Sequence, residues 1–318
     1  MFVNPDITIA GTIVFDIFIS YFRNFPSRGQ AIEIEKFPYF TGGCGANPSI
    51  LLSKLGASVS LIGAVGNDLF GNFILDYLKQ NKVDTSLIKI SSKIPTSASL
   101  LFLNEKKERS YFHSVGASRE IAIGQKELQL INRSKIFHIG GVNLLPSLDG
   151  KPMAQILKKV KSKNITTSID LAWDVKNKWM ENLKYSLLFI DILMGNEDEI
   201  KALSKSNKLN TTIEFLHKTG VKIIVVKLGK KGSLISKDFL QTFIPPFDVE
   251  VKDSTGAGDA FAGGFLFGLL SGLSLYDSAR LGNYFGALVT TEVGSTTALT
   301  KFNSFKINKI LKSDKILL

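Results

Sequence analysis

The chain has 318 residues, 44% of them hydrophobic, with 39 Lys and Arg against 28 Asp and Glu for a formal net charge of +11. That length and apolar content suit a globular protein with a buried core and exclude the disordered and fibrous classes. Its one cysteine, Cys44, excludes an intrachain disulfide, and with only His113, His138 and His217 beside it the common zinc cages are excluded too.

The lysines are scattered in short groups such as Asn104–Arg109 and Leu157–Asn164. With no dense basic tract and no interleaved aromatics, a basic surface that attracts anionic small molecules is favoured over nucleic-acid recognition. The apolar start of the chain carries Asp6 and Asp16 and lacks a basic leader region. No uncharged run approaches the ~18 residues of a membrane span. The expectation is a soluble, cytoplasmic protein.

In chain order the pattern predicts a strand at Asp6–Gly11, a helix at Asn47–Ala57, a strand at Val59–Gly66 and a helix at Phe70–Lys82. Strand and helix then alternate through Lys135–Gly141, Met153–Lys163, Ile165–Leu171, Leu188–Asn196, Thr212–Gly220 and Lys222–Gly229, and a last helix runs from Gly258 to about Ser271. Strands separated by helical segments imply crossover connections, hence an α/β fold whose mostly parallel central sheet is flanked by helices. Residues from about 12 to 40 alternate without a helix, and 97–113 read as a hairpin around a charged turn. These β excursions are either edge strands or a small sheet over the carboxyl ends of the central strands, where ligands of open α/β sheets bind. Neither repeat nor linker divides residues 1–318, so a single domain with the two excursions inserted is expected.

The chemistry concentrates in Asp253–Phe265, DSTGAGDAFAGGF. Gly256 and Gly258 precede a helix whose first turn holds Asp259. Free amides at a helix N-terminus attract phosphate, whereas a first-turn aspartate also serves as an ordinary cap. The physics alone favours an anion site over a structural turn, and Gly263 and Gly264 imply that something packs closely on this helix. It is neither a P-loop nor a dinucleotide fingerprint.

The same stretch fills every position of D-[ST]-T-G-A-G-D-x-F-x-x-G-[FL], and so resembles the C-terminal signature of the ribokinase-like (PfkB) carbohydrate kinase family. The loop Gly42-Gly43-Cys44-Gly45-Ala46-Asn47 and the run Gly63, Val65, Gly66, Asp68, Gly71 are similar to the family's N-terminal signature. On residues alone, that loop is only a turn and Asn47 a cap or a ligand at even odds. Asn196-x-x-Glu199 resembles the family's N-x-x-E motif, and Gly229 and Gly232 its nucleotide-side turn; their plain readings are a helix cap and a β-turn.

The resemblance spans about Asp6 to Ser295 and implies a β lid over a sugar site and transfer of the γ-phosphoryl group of ATP to a hydroxyl, usually a hydroxymethyl. It implies Asp259 as the base, an anion hole from the amides of Gly256, Ala257 and Gly258, and a sugar held by Asp16, Gly42, Gly43 and Asn47. Asn196 and Glu199 would meet Mg²⁺ through water, with Lys227, Gly229, Gly232 and Asn283 on the nucleotide side. Asp253 and Thr255, near Gly294 and Ser295, are similar to the loops that hold K⁺ in some members. Lid strands would pair two copies as a homodimer. Cys44 stands where the family's ribokinases often carry lysine. Ala172 and Asp174 stand after Asp170 where other members carry asparagine and arginine, so no single sugar is assigned. The lid aromatics Phe15, Phe18, Phe40 and Phe112 are either lid core or a platform for a nucleoside base, core being favoured. The alternatives to a sugar kinase are a nucleoside kinase of the same family and a silent sugar or nucleotide sensor.

Overall fold

In the computed structural model, which describes residues 4–22, 26–34, 36–104, 109–204, 206–301, 310 and 312, the predicted alternation folds into a central sheet. In chain order its strands are β1 (Ile7–Gly11), β4 (Val59–Gly66), β5 (Asp84–Ser91), β8 (Ile136–Val142), β9 (Thr166–Leu171), β10 (Ile192–Asn196), β11 (Ile223–Lys227), β12 (Ser233–Lys237) and β13 (Leu240–Ile244). They lie in the order β13-β12-β11-β10-β9-β8-β1-β4-β5. Pairing is parallel from β5 through β11, and the β12–β13 hairpin adds an antiparallel edge.

The inner strands β1, β4, β8, β10 and β11 bury both faces, which explains their near-continuous apolar runs. Because successive side chains point to opposite faces, Ile192, Met194 and Val225 enter one core while Leu193, Ile224 and Val226 enter the other. The first core is covered by α1 (Ala46–Lys54), α2 (Leu69–Gln80) and α8 (Ala257–Leu270). The second is covered by α3 (Gln125–Ile131), α4 (Lys151–Lys161), α5 (Trp179–Leu183), α6 (Glu197–Ala202) and α7 (Leu209–Lys218). α4 shows the pattern at its clearest: Met153, Ile156, Leu157 and Val160 are buried, while Lys158, Lys159 and Lys161 fill its last turn, where cations suit the helix dipole. A further helix, α9 (Leu275–Val289), packs against α8. The close packing expected at Gly263 and Gly264 is there, against Leu51 of α1 and Leu281 and Phe285 of α9.

The two excursions form a second sheet of β2 (Val14–Phe22), β3 (Tyr39–Gly42), β6 (Ser97–Asn104) and β7 (Arg109–Ser114), in the order β3-β2-β6-β7. They join each other through the parallel β2–β6 pair, and the rest of the sheet is antiparallel. The tip of the charged turn, 105–108, lies outside the described residues. Phe15 fixes this lid to the body by stacking on Phe70 with ring centroids 4.1 Å apart and by meeting Phe73 edge-on, both from α2. Phe15 and Phe18 are buried and are lid core; Phe40 meets Phe18 edge-on, whereas Phe112 is exposed. Among the described residues no helix is long and apolar enough to cross a membrane.

Candidate active site

The candidate residues gather at the carboxyl ends of β1, β8, β10 and β11, under the lid. Gly42 ends β3 directly against Asp16 of β2: a Cβ at this position would overlap the Asp16 carboxylate, which is itself buried. Gly42→Ala is therefore expected to displace Asp16 and raise the KM for the acceptor at least tenfold with a smaller change in kcat, as measured by initial rates over an acceptor titration.

Asn47 lies in the first turn of α1 but does not cap it. The N-cap is Gly45, with no side-chain cap bond. Instead the Asn47 amide donates to Asp259 Oδ2 at 2.7 Å, and its Oδ1 accepts from Ser295 Oγ at 2.9 Å. Ser295 also bonds the carbonyl of Thr41 at 3.1 Å. One amide thus ties the early glycine loop to a carboxylate 212 positions away.

Asp259 occupies the first turn of α8. The N-cap, Gly256, has φ +76°, and a Cβ there would collide with Ser295, so the loop takes this path only with glycine. The loop is held from below by Asp253, which is buried: its Oδ1 accepts from the Thr255 amide and hydroxyl at 2.9 and 2.7 Å, and its Oδ2 from the Gly294 amide at 3.0 Å. Ala257 N–H makes only a long turn bond to Ser254 O, 3.3 Å.

At the end of β11, Lys227 Nζ lies 2.7 and 2.9 Å from the two oxygens of Asp170 on β9. The same Nζ is 3.2 Å from where a Gly258 Cβ would stand, so the ammonium sits beneath the start of α8. Burial works against its charge, but Asp170, Glu199 and Asp259 outweigh it and raise the Lys227 pKa. Cys44 lies in the same pocket, and burial followed by the charges of Asp259 and Asp170 pushes its thiol far up, keeping it neutral.

Asn196 and Glu199 form a reciprocal capping box on α6, each side chain accepting from the other's backbone N–H at 2.8 Å. Burial raises Glu199 to about 7 against the pull of Lys227. No group of three or more His, Cys, Asp or Glu arranged to hold a metal occurs among the described residues. Such a donor set does not fit an all-protein metal cage. It does fit an ion that keeps its waters and takes its inner oxygens from phosphate, as Mg²⁺ does.

Gly229 and Gly232 bound the turn after β11. Asn283 of α9 faces the protein: its amide donates to the carbonyls of Ile244 and Pro245 at 3.2 and 2.9 Å, fixing the exit from β13. Asp68 serves structure as well, capping α2 through Gly71 N and holding the Thr96 amide and hydroxyl at 2.8 and 2.7 Å, which anchors the start of the lid strand β6.

After β8, Asp149 accepts from the Asn143 and Leu145 amides at 3.3 and 3.0 Å, and burial raises it to about 7. A carboxyl whose folded pKa exceeds its unfolded value binds more protons folded than unfolded, so stability falls as pH rises from about 4 to about 7. Asp149→Asn is expected to flatten that slope; melting temperatures measured across the window check it.

Residues 10–301 match the model of the pfkB family of carbohydrate kinases. A 5-dehydro-2-deoxygluconokinase of Clostridium beijerinckii is 30% identical over 280 residues, 81% of this chain and 80% of that one. Fructokinase-2 of Oryza sativa subsp. japonica is 28% identical over 274 residues, 81% of each chain. The structure of Arabidopsis thaliana ribokinase complexed with ribose and ATP superposes with a TM-score of 0.80 at 23% identity, covering 98% of this chain and all of the other. The Methanocaldococcus jannaschii nucleoside kinase gives a TM-score of 0.80 at 24% identity over 97% and 99% of the two chains. The fold is ribokinase-like. With a carboxylate held at the glycine-rich start of α8 and a lid above it, the chain belongs to the pfkB family of carbohydrate kinases, phosphotransferases that act on an alcohol group.

Local sequence does not show that Asp170 pairs with Lys227 or that Cys44 lies beside Asp259. The readable signal for Asp170 is an acid near the carboxyl end of a buried strand, a position that binds ligands in open α/β sheets.

Proposed function

We propose that the protein transfers the γ-phosphoryl group of ATP to a hydroxymethyl group of a neutral sugar. The observation that carries this is the Asn47 bond to Asp259 together with the Lys227 ammonium beneath Gly258, all at the glycine-bounded start of α8. Phosphoryl transfer needs positioning and charge neutralisation more than covalent chemistry. Asp259 takes the proton of the acceptor hydroxyl while Asn47 holds its second oxygen in place. The amides of Gly256, Ala257 and Gly258 form the anion hole, Ala257 exchanging its long turn bond for a phosphoryl oxygen. Lys227 supplies a positive charge beneath it.

Asp16, with Gly42, Gly43 and Asn47, holds the sugar; a buried carboxylate that accepts hydroxyl bonds rejects analogues lacking them. The Gly229–Gly232 turn edges the nucleotide, and Asn283 shapes that edge by holding the backbone after β13. Asn196 and Glu199, locked together by their capping box, are the residues that would meet Mg²⁺ through water, and the ion when bound would supply charge neutralisation on the phosphates. The Asp253 and Thr255 loop suits K⁺: the Asp253 carboxylate is buried, and the Thr255 amide and hydroxyl and the Gly294 amide that reach it at 2.7–3.0 Å are all neutral groups. The exposed lid side chains Leu100 and Phe112, cross-strand partners on one side of the β6–β7 pair, offer an apolar face on which a second copy pairs as a homodimer. A cytoplasmic location accords with the lone cysteine.

The test is ADP release in a coupled assay with ribose, fructose, adenosine and inosine, with and without a chelator of divalent ions. Sugar-dependent ADP release abolished by the chelator is expected. Turnover on the nucleosides alone would replace the sugar by a nucleoside, and binding without turnover on any acceptor would make the protein a sensor.

A further inference from the structure

At the opposite end of the central sheet, where β8, β9, β10 and β11 begin, lies a cavity of about 620 Å³. Its floor is aliphatic, made by Ile136, Ile165, Ile192, Ile223 and the last turn of α8, Leu269 and Leu270. Its wall is cationic: Lys135, Lys161, Lys222 and Lys237 line it against only two aspartates, Asp191 and Asp238. Asp6 reaches Lys135 from outside the cavity at 2.8 Å.

The arrangement of the lysines is more than a solvated basic rim. Lys161 and Lys222 converge on the same oxygen of Asp191, the second at 3.0 Å. Asp191 is buried and also accepts from the Thr167 amide and hydroxyl at 3.0 and 3.1 Å. One carboxylate with four donors holds two ammonium groups, so this cluster keeps a surplus positive charge beside the cavity that a further anion would meet. Lys237 adds a third ammonium, with no ion pair of its own among the described residues.

We propose that this cavity binds a phosphate monoester. The ester's phosphate carries a charge of about −1.5 to −2 at neutral pH, which the surplus ammonium groups meet, and its organic body lies on the aliphatic floor. The volume falls in the range of small-molecule sites, about 300–1,000 Å³. Two sources share this chemistry, a nucleoside monophosphate and a sugar phosphate. Either would sit against the last turn of the helix that carries Asp259 in its first, and the two ends of this 14-residue helix are about 20 Å apart at 1.5 Å per residue.

The full chain, with its nucleotide site filled by a non-hydrolysable ATP analogue and Mg²⁺, is titrated calorimetrically with AMP, with fructose 6-phosphate and with inorganic phosphate. One equivalent of AMP or of fructose 6-phosphate is expected to bind more tightly than inorganic phosphate, and which ester binds better names the source. Lys222→Met and Lys237→Met are each expected to weaken that binding about tenfold, and Leu270→Trp, which fills the floor, to abolish it. Lys237→Met removes no ion pair, so it answers even where another variant folds poorly. Absence of binding, equal affinity for inorganic phosphate, or binding unchanged in Lys237→Met and Leu270→Trp would overturn the proposal. The last result would place the ester in the active site instead. Binding is read without turnover, so the outcome stands apart from the identity of the acceptor.

Discussion

Asp259→Asn is expected to lower kcat by about 10²–10⁴-fold, the usual contribution of a positioned general base, while the fold and nucleotide affinity stay intact. The substitution is nearly isosteric, and the asparagine oxygen still accepts from Asn47, now 2.7 Å from Asp259 Oδ2. What is lost is the ability to take a proton at the amino end of α8. Single-turnover rates should therefore fall with kcat, whereas calorimetric binding of ATP and acceptor should change little. Asn47→Ala offers the complementary case: the carboxylate keeps its basicity but loses its tether, so a smaller loss of kcat with a larger rise in acceptor KM is expected. Turnover in Asp259→Asn close to that of the parent protein would remove Asp259 as the base.

The two variants also mark how far the sequence could be read. The glycine run before Asp259 was legible because a helix start with free amides has a local signature, and the buried parallel strands because both of their faces are apolar. The lid strands were legible as departures from the helix rhythm, but edge strands and a small covering sheet read equally well, and only the parallel β2–β6 pairing decides for the sheet. The β12–β13 hairpin was missed; β13 shows four of its five residues to solvent and so carries little hydrophobic pattern. Asn47 read equally well as a cap or a ligand, and only the tertiary fold turns it towards Asp259 and Ser295. Asp170 and Lys227 stand 57 positions apart on strands that flank β10, and nothing in local spacing pairs them.

That pair carries the largest expected effect on stability. Lys227→Met leaves Asp170, whose side chain is only 4% exposed, without its cation. Breaking a buried ion pair from one side costs about 3–5 kcal/mol, because the remaining charge stays desolvated. The expected result is a melting temperature lower by several degrees together with a kcat reduced by about 10²–10³-fold, the scale for losing one preorganised electrostatic contact in an active site. The two effects separate in the double variant Lys227→Met with Asp170→Leu. With both charges gone nothing buried is left unpaired, so most of the lost stability should return, as it does when buried ion pairs are replaced by apolar groups of similar volume. Turnover should not return with it, because the ammonium beneath Gly258 is still absent. Recovery of activity along with stability would make the pair a structural clamp between β9 and β11. Continued loss of activity in a stable protein would assign the Lys227 charge to the phosphoryl group and leave Asp170 the task of holding it there.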